Sequence, residues 1–352
     1  MKSRYIVFPE PRKAIYSTKE LSPLKPNEVR IKLVRSTISS GSERANLIGD
    51  PNCEASTAPK VTFPRGGGYS ASGYVVEVGE NVTRFKVGDR VAAYGTSHSQ
   101  YCNVSEERTL RMPDEFDFDE AALLYIANFS MAAIRKCRLE IGESAIVMGL
   151  GVLGMFAVKL LRAAGAYPVI AVDPVESKRK LALQNGADYA FDPFDPDFVA
   201  NVKAVTADPD KPAEYHGARV AIEVTGNGKA LDQVLDCMAK FGRVALLGCT
   251  RNSNFTIDYY RKVHYPGIHL IGAHTCARPD VESHDGYWTA PDDMKCLIRL
   301  LCAKRINFKE IIEEVHLPEE APQVFDRLAN DKSFPLVQFD WTHADDVNDS
   351  ET

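Results

Sequence analysis

The chain has 352 residues and a formal net charge of −6, a length that suggests roughly two domains. Its 45% hydrophobic content supplies apolar material for two cores, and the acidic balance leaves no broad basic surface, which disfavours nucleic acid as a partner. No apolar run is long enough to span a bilayer and Met1–Tyr5 shows no signal-peptide pattern, so a soluble, cytoplasmic protein without a membrane partner is expected. The eight cysteines include no C-x-x-C pair and read as reduced thiols.

In chain order, short strand signals broken by Gly, Pro and Asn fill the first ~120 residues, as in a compact β-rich domain. They include Ile6–Phe8, Val29–Val34, Gly73–Val78 and Arg90–Ala93. Over Phe118–Arg135 the apolar residues Ala122, Ile126, Phe129, Ala133 and Ile134 take a helical period. From Ser144 onward strand and helix alternate. The strands are Ala145–Met148, Tyr167–Val172, Arg219–Glu223, Arg243–Leu247 and His269–Ile271, and the helices are Met155–Ala164, Ser177–Gln184 and Lys229–Ala239. Such alternation predicts a doubly wound parallel sheet covered by helices on both faces. A helix over Asp292–Ala303, the segment Ile311–His316, a helix over Glu319–Ala329 and a strand over Pro335–Trp341 break the alternation. The fold class expected is therefore α/β. A split β-rich domain (1–121 with 291–345) encloses a doubly wound domain (122–290), and 346–352 form a disordered acidic tail.

The strongest motif is Met148-Gly149-Leu150-Gly151-Val152-Leu153-Gly154, which follows a strand and opens a helix. A G-x-G-x-x-G in that context binds a dinucleotide pyrophosphate. The first glycine makes the turn, the second admits the phosphate, and the third lets helix and strand approach. The next strand ends in Asp173, where a carboxylate accepts from both ribose hydroxyls and repels a 2′-phosphate. NAD(H) is thus preferred, with NADP(H) the alternative. Lys178 and Arg179 lie downstream, either near that phosphate position or on an ordinary solvated helix face.

These motifs, with Gly73–Gly79, Phe85–Val91, Gly186-Ala187-Asp188, Glu223–Gly226 and Gly242–Gly248, resemble the medium-chain dehydrogenase/reductase superfamily along almost the whole chain. The resemblance implies a chaperonin-10-like β-barrel catalytic domain and an inserted Rossmann domain. It also implies hydride transfer between a nicotinamide and an alcohol, carbonyl or activated alkene. By the same resemblance Thr225 and the turn Gly248-Cys249-Thr250 contact the cofactor, as does Ala273 at the end of the last strand. A homodimer is implied through the strand at His269–Ile271, with a tetramer the alternative.

Where zinc relatives hold their metal, this sequence has Ser40-Gly41-Ser42-Glu43, Gly68-Tyr69-Ser70 and Tyr125, and it lacks the four-cysteine loop of a structural zinc. Hydroxyls and phenols do not supply the thiolate, imidazole and carboxylate donors zinc wants, so no zinc is expected. The runs Ser39–Ala45 and Ile271–Pro279 look most like a bacterial branch of sorbitol- and bacteriochlorophyllide-dehydrogenase-like sequences. The activity implied is zinc-independent, NAD(H)-dependent oxidoreduction of a secondary alcohol, with a polyol, cyclitol or sugar-like small molecule as substrate. The alternatives are a quinone or enone reductase and a non-catalytic nucleotide-binding protein.

Without a Lewis acid, a proton donor or base must serve the substrate oxygen. Ser42 aligns with a proton-relay position, or caps a helix over Glu43–Ile48. Tyr69 lines the site and offers a phenol, or fills the space left by the metal. Glu43 reads as an ion-pair partner of Arg44 or Arg65. His98, in Thr96–Gln100, borders the substrate cleft in relatives, or is a solvated loop residue. His274 follows the strand that passes the nicotinamide in relatives, and Arg278 binds a substrate anion or caps a loop.

Overall fold

The computed structural model describes residues 2–50, 61–250, 254–331 and 333–344. Contacts divide the described residues into two units, one of 2–50, 61–126 and 294–344 and one of 127–293. The tail expected at 346–352 lies outside the described residues, as does Cys53; the other seven cysteines are free thiols.

The first unit begins with β1 (Lys2–Glu10), β2 (Lys13–Glu20), β3 (Glu28–Thr37), α1 (Ser40–Ile48) and β4 (Arg65–Gly66). It continues through β5 (Ser70–Val78), β6 (Arg90–Tyr94), β7 (Tyr101–Ser105), β8 (Thr109–Arg111) and α2 (Phe118–Ala121). The single helix expected over Phe118–Arg135 is in fact two, α2 and α3 (Leu124–Lys136), because Ala122 already closes the first as its C-cap.

The second unit carries β9 (Ala145–Met148), α4 (Val152–Ala163), β10 (Val169–Val172), α5 (Glu176–Gln184), β11 (Tyr189–Phe191) and α6 (Phe198–Val205). Then come β12 (Ala218–Glu223), α7 (Gly228–Asp236), β13 (Met238–Leu246) and β14 (His269–Gly272). After α8 (Ala290–Cys302), the chain adds β15 (Glu314–His316), α9 (Ala321–Asn330) and β16 (Val337–Asp340) to the first unit. The helix expected over Lys229–Ala239 stops at Asp236. Cys237 caps it, and Met238 pairs with Ala218 as the start of a strand.

The six strands of the second unit run in the order β11-β10-β9-β12-β13-β14 and all pair in parallel. Counted within the unit this is 3-2-1-4-5-6, the dinucleotide-binding order, whose winding reverses between β9 and β12. The loops after those two strands therefore open where a ligand binds. β9 and β10 are buried at every position, as a sheet covered on both faces requires.

In the first unit a seven-stranded sheet, β15-β16-β3-β5-β6-β8 with β7 on β3, accompanies the three-stranded sheet β2-β1-β4. The core between them holds Ile6, Phe8, Ile31, Leu33, Phe325, Phe339 and Trp341. Each large apolar side chain there contributes roughly 1.5–3 kcal/mol through burial. Among the described residues no helix is long and apolar enough to cross a membrane.

Candidate active site

In the second unit the glycine turn is built as its spacing predicts. Gly149 has φ +100°, and a Cβ on Gly154 would fall 2.0 Å from the Gly149 carbonyl oxygen, so no other residue fits there. A Cβ on Gly151 would meet nothing within 4 Å, leaving open the position where a phosphate would approach the start of α4. Leu150 and Val152 are buried beneath the turn, while Leu153 is half-buried and its carbonyl accepts from Ser130 Oγ at 2.7 Å.

Asp173 is fastened to this turn. Its Oδ2 accepts from the Leu150 N–H at 2.8 Å and its Oδ1 from the Val175 N–H at 2.9 Å. Each oxygen keeps a further lone pair for a hydroxyl donor. Arg179 donates to the carbonyls of Asp173 (2.7 Å) and Pro174 (2.9 Å) and to Asp192 (3.3 Å), so it braces the loop; Lys178 is half-buried on α5.

After β12 the buried carboxylate of Glu223 accepts from the Thr225 N–H at 2.8 Å, the Thr225 hydroxyl and the Gly226 N–H at 3.3 Å. Burial holds its carboxyl above the usual range, against those hydrogen bonds. The Gly248 N–H bonds the Glu223 carbonyl at 2.8 Å, and Cys249 is exposed with Thr250 half-buried beside it. Ala273 is buried, its N–H on the Leu246 carbonyl at 3.1 Å. His274 is exposed, with Nδ1 accepting from the Cys276 N–H at 3.1 Å. Arg278 donates to the Thr275 carbonyl at 3.0 Å in its own loop and to Asn128 on α3. These residues fit a dinucleotide: an open phosphate position, a helix start and an anchored acid lie at one end of the sheet.

The first unit gathers hydroxyls. Tyr69 donates to Ser39 Oγ and also hydrogen-bonds Ser42. Its ring stands edge-on to Tyr125 with centroids 5.8 Å apart, and Tyr125 stacks on Tyr94 at 4.4 Å. Burial pushes the Tyr69 phenol up to about 12, with Ser39 and Ser42 pulling it back. Ser42 is not the helix cap: α1 starts at Ser40 with Ser39 at the cap, and Ser42 sits exposed in the first turn.

Two expectations need correction here. Glu43 pairs with neither Arg44 nor Arg65: its Oε2 lies 2.8 Å from His98 Nε2, and its Oε1 accepts from the Ser39 N–H at 2.9 Å. His98 is not a solvated loop residue but fully buried at 0% exposure. Its N–H bonds the Gly67 carbonyl and its carbonyl takes the Ile6 N–H, so the polar-looking loop is sealed under β1. Sequence reasoning missed Ser39 and Tyr94. Ser39 stands just before a helix start, a position that favours serine, but neither its bond from the phenol nor the stack of Tyr94 on Tyr125 has a local sequence signal.

By the resemblance, the metal positions of zinc relatives would fall at Ser40, Tyr69 and about Tyr125. A hydroxyl and two phenols do not fit zinc. Among the described residues no three His, Cys, Asp or Glu side chains group as a metal site.

Residues 25–118 match the family described as alcohol dehydrogenase GroES-like domain, and residues 152–285 that described as zinc-binding dehydrogenase. The L-threonine 3-dehydrogenase of Caldanaerobacter subterraneus is 30% identical over 286 residues, covering 72% of this chain and 78% of that protein. The chain belongs to the medium-chain dehydrogenase/reductase superfamily. It is an oxidoreductase of the alcohol dehydrogenase type, acting on CH–OH groups, and such enzymes use a nicotinamide cofactor. Another medium-chain relative, the D-guloside 3-dehydrogenase of Escherichia coli K12, is 27% identical over 255 residues, 72% of this chain and 70% of that one. The Bacillus subtilis butanediol dehydrogenase structure superposes with a TM-score of 0.77 at 22% identity, covering 96% of this chain and 99% of that one, and so shares the medium-chain fold.

Proposed function

We propose that this enzyme interconverts a secondary alcohol and its ketone with NAD(H) and without zinc, on a polyol, cyclitol or sugar-like molecule. The observation that carries this reading is the Tyr69 phenol, hydrogen-bonded to Ser39 and Ser42 where relatives hold a metal. Bound nicotinamide supplies or accepts the hydride. In reduction, Tyr69 donates a proton to the oxygen that becomes the alcohol. In oxidation the phenol first passes its own proton through the exposed Ser42 hydroxyl to water, and the phenolate left behind takes the proton of the substrate hydroxyl. Ser42 and Tyr69 are therefore the proposed proton-transfer residues; His274, exposed after β14, is retained as a substrate contact. His98, closed to solvent, is given no contact with substrate and supports Tyr69 from within the first unit.

Asp173 supports NAD(H), because its carboxylate is fixed beside the glycine turn. Relatives named for a guloside, threonine and butanediol support a hydroxylated small-molecule substrate. The exposed edge strand β14 supports a homodimer formed by sheet extension, and sedimentation at low concentration giving only monomer would remove that element. To test the activity, butanediol, inositol and methyl glycosides are offered with NAD⁺, and activated enones with NADH or NADPH. Reduction of NAD⁺ by the alcohols is expected. Enone reduction alone would make the protein a quinone or enone reductase, and NADH binding without any turnover would make it a nucleotide-binding protein.

A further inference from the structure

Glu43 and His98 form an ionisable pair at 1% and 0% side-chain exposure. An apolar core gains little stability from such a pair, because desolvation offsets much of the attraction. Every ring and carboxylate atom that can bond does so. Trp341 Nε1 donates to Ser36 Oγ at 2.8 Å, and Ser36 Oγ meets His98 Nδ1 at 2.7 Å. His98 Nε2 meets Glu43 Oε2 at 2.8 Å, and the Ser39 N–H donates to Glu43 Oε1 at 2.9 Å. The imidazole packs against Phe339 and Phe325, with centroids at 5.2 and 6.1 Å, and the two phenylalanines also meet each other at 6.0 Å.

Both members of the pair lead to Tyr69. Ser39, held by Glu43 through its backbone, carries the hydroxyl that receives the phenol. Gly67 and Gly68 immediately precede Tyr69, and a Cβ on Gly67 would lie 2.6 Å from Glu43 Oε2. The His98 N–H bonds the Gly67 carbonyl at 3.0 Å, and the Gly95 N–H bonds the Tyr69 carbonyl at 2.9 Å. The peptide that presents the phenol thus rests directly on the pair.

We propose that the Glu43–His98 pair is a positioning device that fixes the Tyr69 hydroxyl against Ser39 and Ser42. Neither residue touches substrate; both act through Ser39 and the Gly67–Tyr69 peptide. This rests on the reading of Tyr69 as the proton-transfer group. Ser39 caps α1, and Ser42 and Glu43 follow in its first turn, so the turn that offers Ser39 and Ser42 to the phenol also carries Glu43, buried against His98.

The test uses the full chain labelled at tyrosine Cζ, the Tyr69 resonance being identified by its loss in Tyr69→Phe. His98→Leu removes both ring hydrogen bonds at similar volume. Glu43→Gln is isosteric but presents an amide to one of the two donors. His98→Gln keeps a donor for Glu43 and an acceptor for Ser36. In His98→Leu and Glu43→Gln the Tyr69 resonance moves, and kcat for NAD⁺ reduction by butanediol falls about a hundredfold, the scale of a small misplacement, while NADH affinity is unchanged. His98→Gln stays near wild type in both. Folded Glu43→Gln and His98→Leu proteins whose Tyr69 resonance stays in place overturn the proposal. Full turnover in Tyr69→Phe with a displaced resonance in the other variants would instead overturn the reading of Tyr69, leaving the positioning contact intact.

Discussion

The carboxylate of Asp173 accepts the backbone N–H of Leu150 at 2.8 Å, so the acid ending β10 and the turn following β9 form one hydrogen-bonded unit. Neutralising that acid removes its attraction for ribose hydroxyls and its repulsion of a 2′-phosphate. In Asp173→Asn, NADH binding is expected to weaken about tenfold, or ~1.4 kcal/mol, and NADPH binding to weaken less. Calorimetry with both nucleotides measures the ratio, and an unchanged ratio would show that Asp173 does not select the cofactor.

Gly151 separates binding from folding. Its φ of −71° suits any residue and a Cβ there meets no protein atom within 4 Å. Gly151→Ala should melt within a degree or two of wild type, a change well below ~1 kcal/mol. The added methyl occupies the phosphate approach, so NADH affinity should drop about tenfold or more. Unaltered affinity would place the pyrophosphate elsewhere.

Tyr69→Phe keeps the ring against Tyr125 and deletes only the hydroxyl. General acid–base catalysis is worth roughly 10²–10⁴ in rate. The expected result is a kcat lower by that range with NADH affinity intact, read from steady-state kinetics and calorimetry together. A kcat within about twofold would leave the phenol without a chemical role.

The same phenol should appear in alkaline stability. Its folded pKa is raised from 10.0 to about 12, so the folded state holds the proton more tightly than the unfolded chain. That stabilisation is complete below pH 10 and is lost as pH rises toward 12. It amounts to roughly 2–3 kcal/mol at most. Burial raises Cys137 and Cys237 to about 12 as well, but both proteins share those thiols. Urea unfolding of wild type and Tyr69→Phe across this window should show the wild type losing more stability; parallel curves would contradict the assigned shift.

The doubly wound unit was legible because its signals are local. The glycine turn, the apolar strands and the helical period each reside in a few neighbouring residues, and β9 and β12 begin and end within a residue of expectation. The elements without such signals were passed over. β2 is charged at both ends with only one buried position, β11 has three residues, and α6 follows a Pro- and Asp-rich run. The catalytic half was harder to read, since its partners are distant in sequence. Thr96–Gln100 has a polar composition, yet its backbone bonds to the Gly67 carbonyl and from the Ile6 N–H hold His98 in the core, and nothing near Glu43 in the chain announces its partner 55 positions away.

The measurement closest to the central claim is turnover by protein stripped of metal. The enzyme is dialysed against a chelator, its metal content is verified by mass spectrometry, and NADH formation from butanediol and methyl glycosides is followed with and without added zinc. A hydroxyl-based site predicts an undiminished rate that zinc does not raise. Activity that vanishes on chelation and returns with stoichiometric zinc would contradict it.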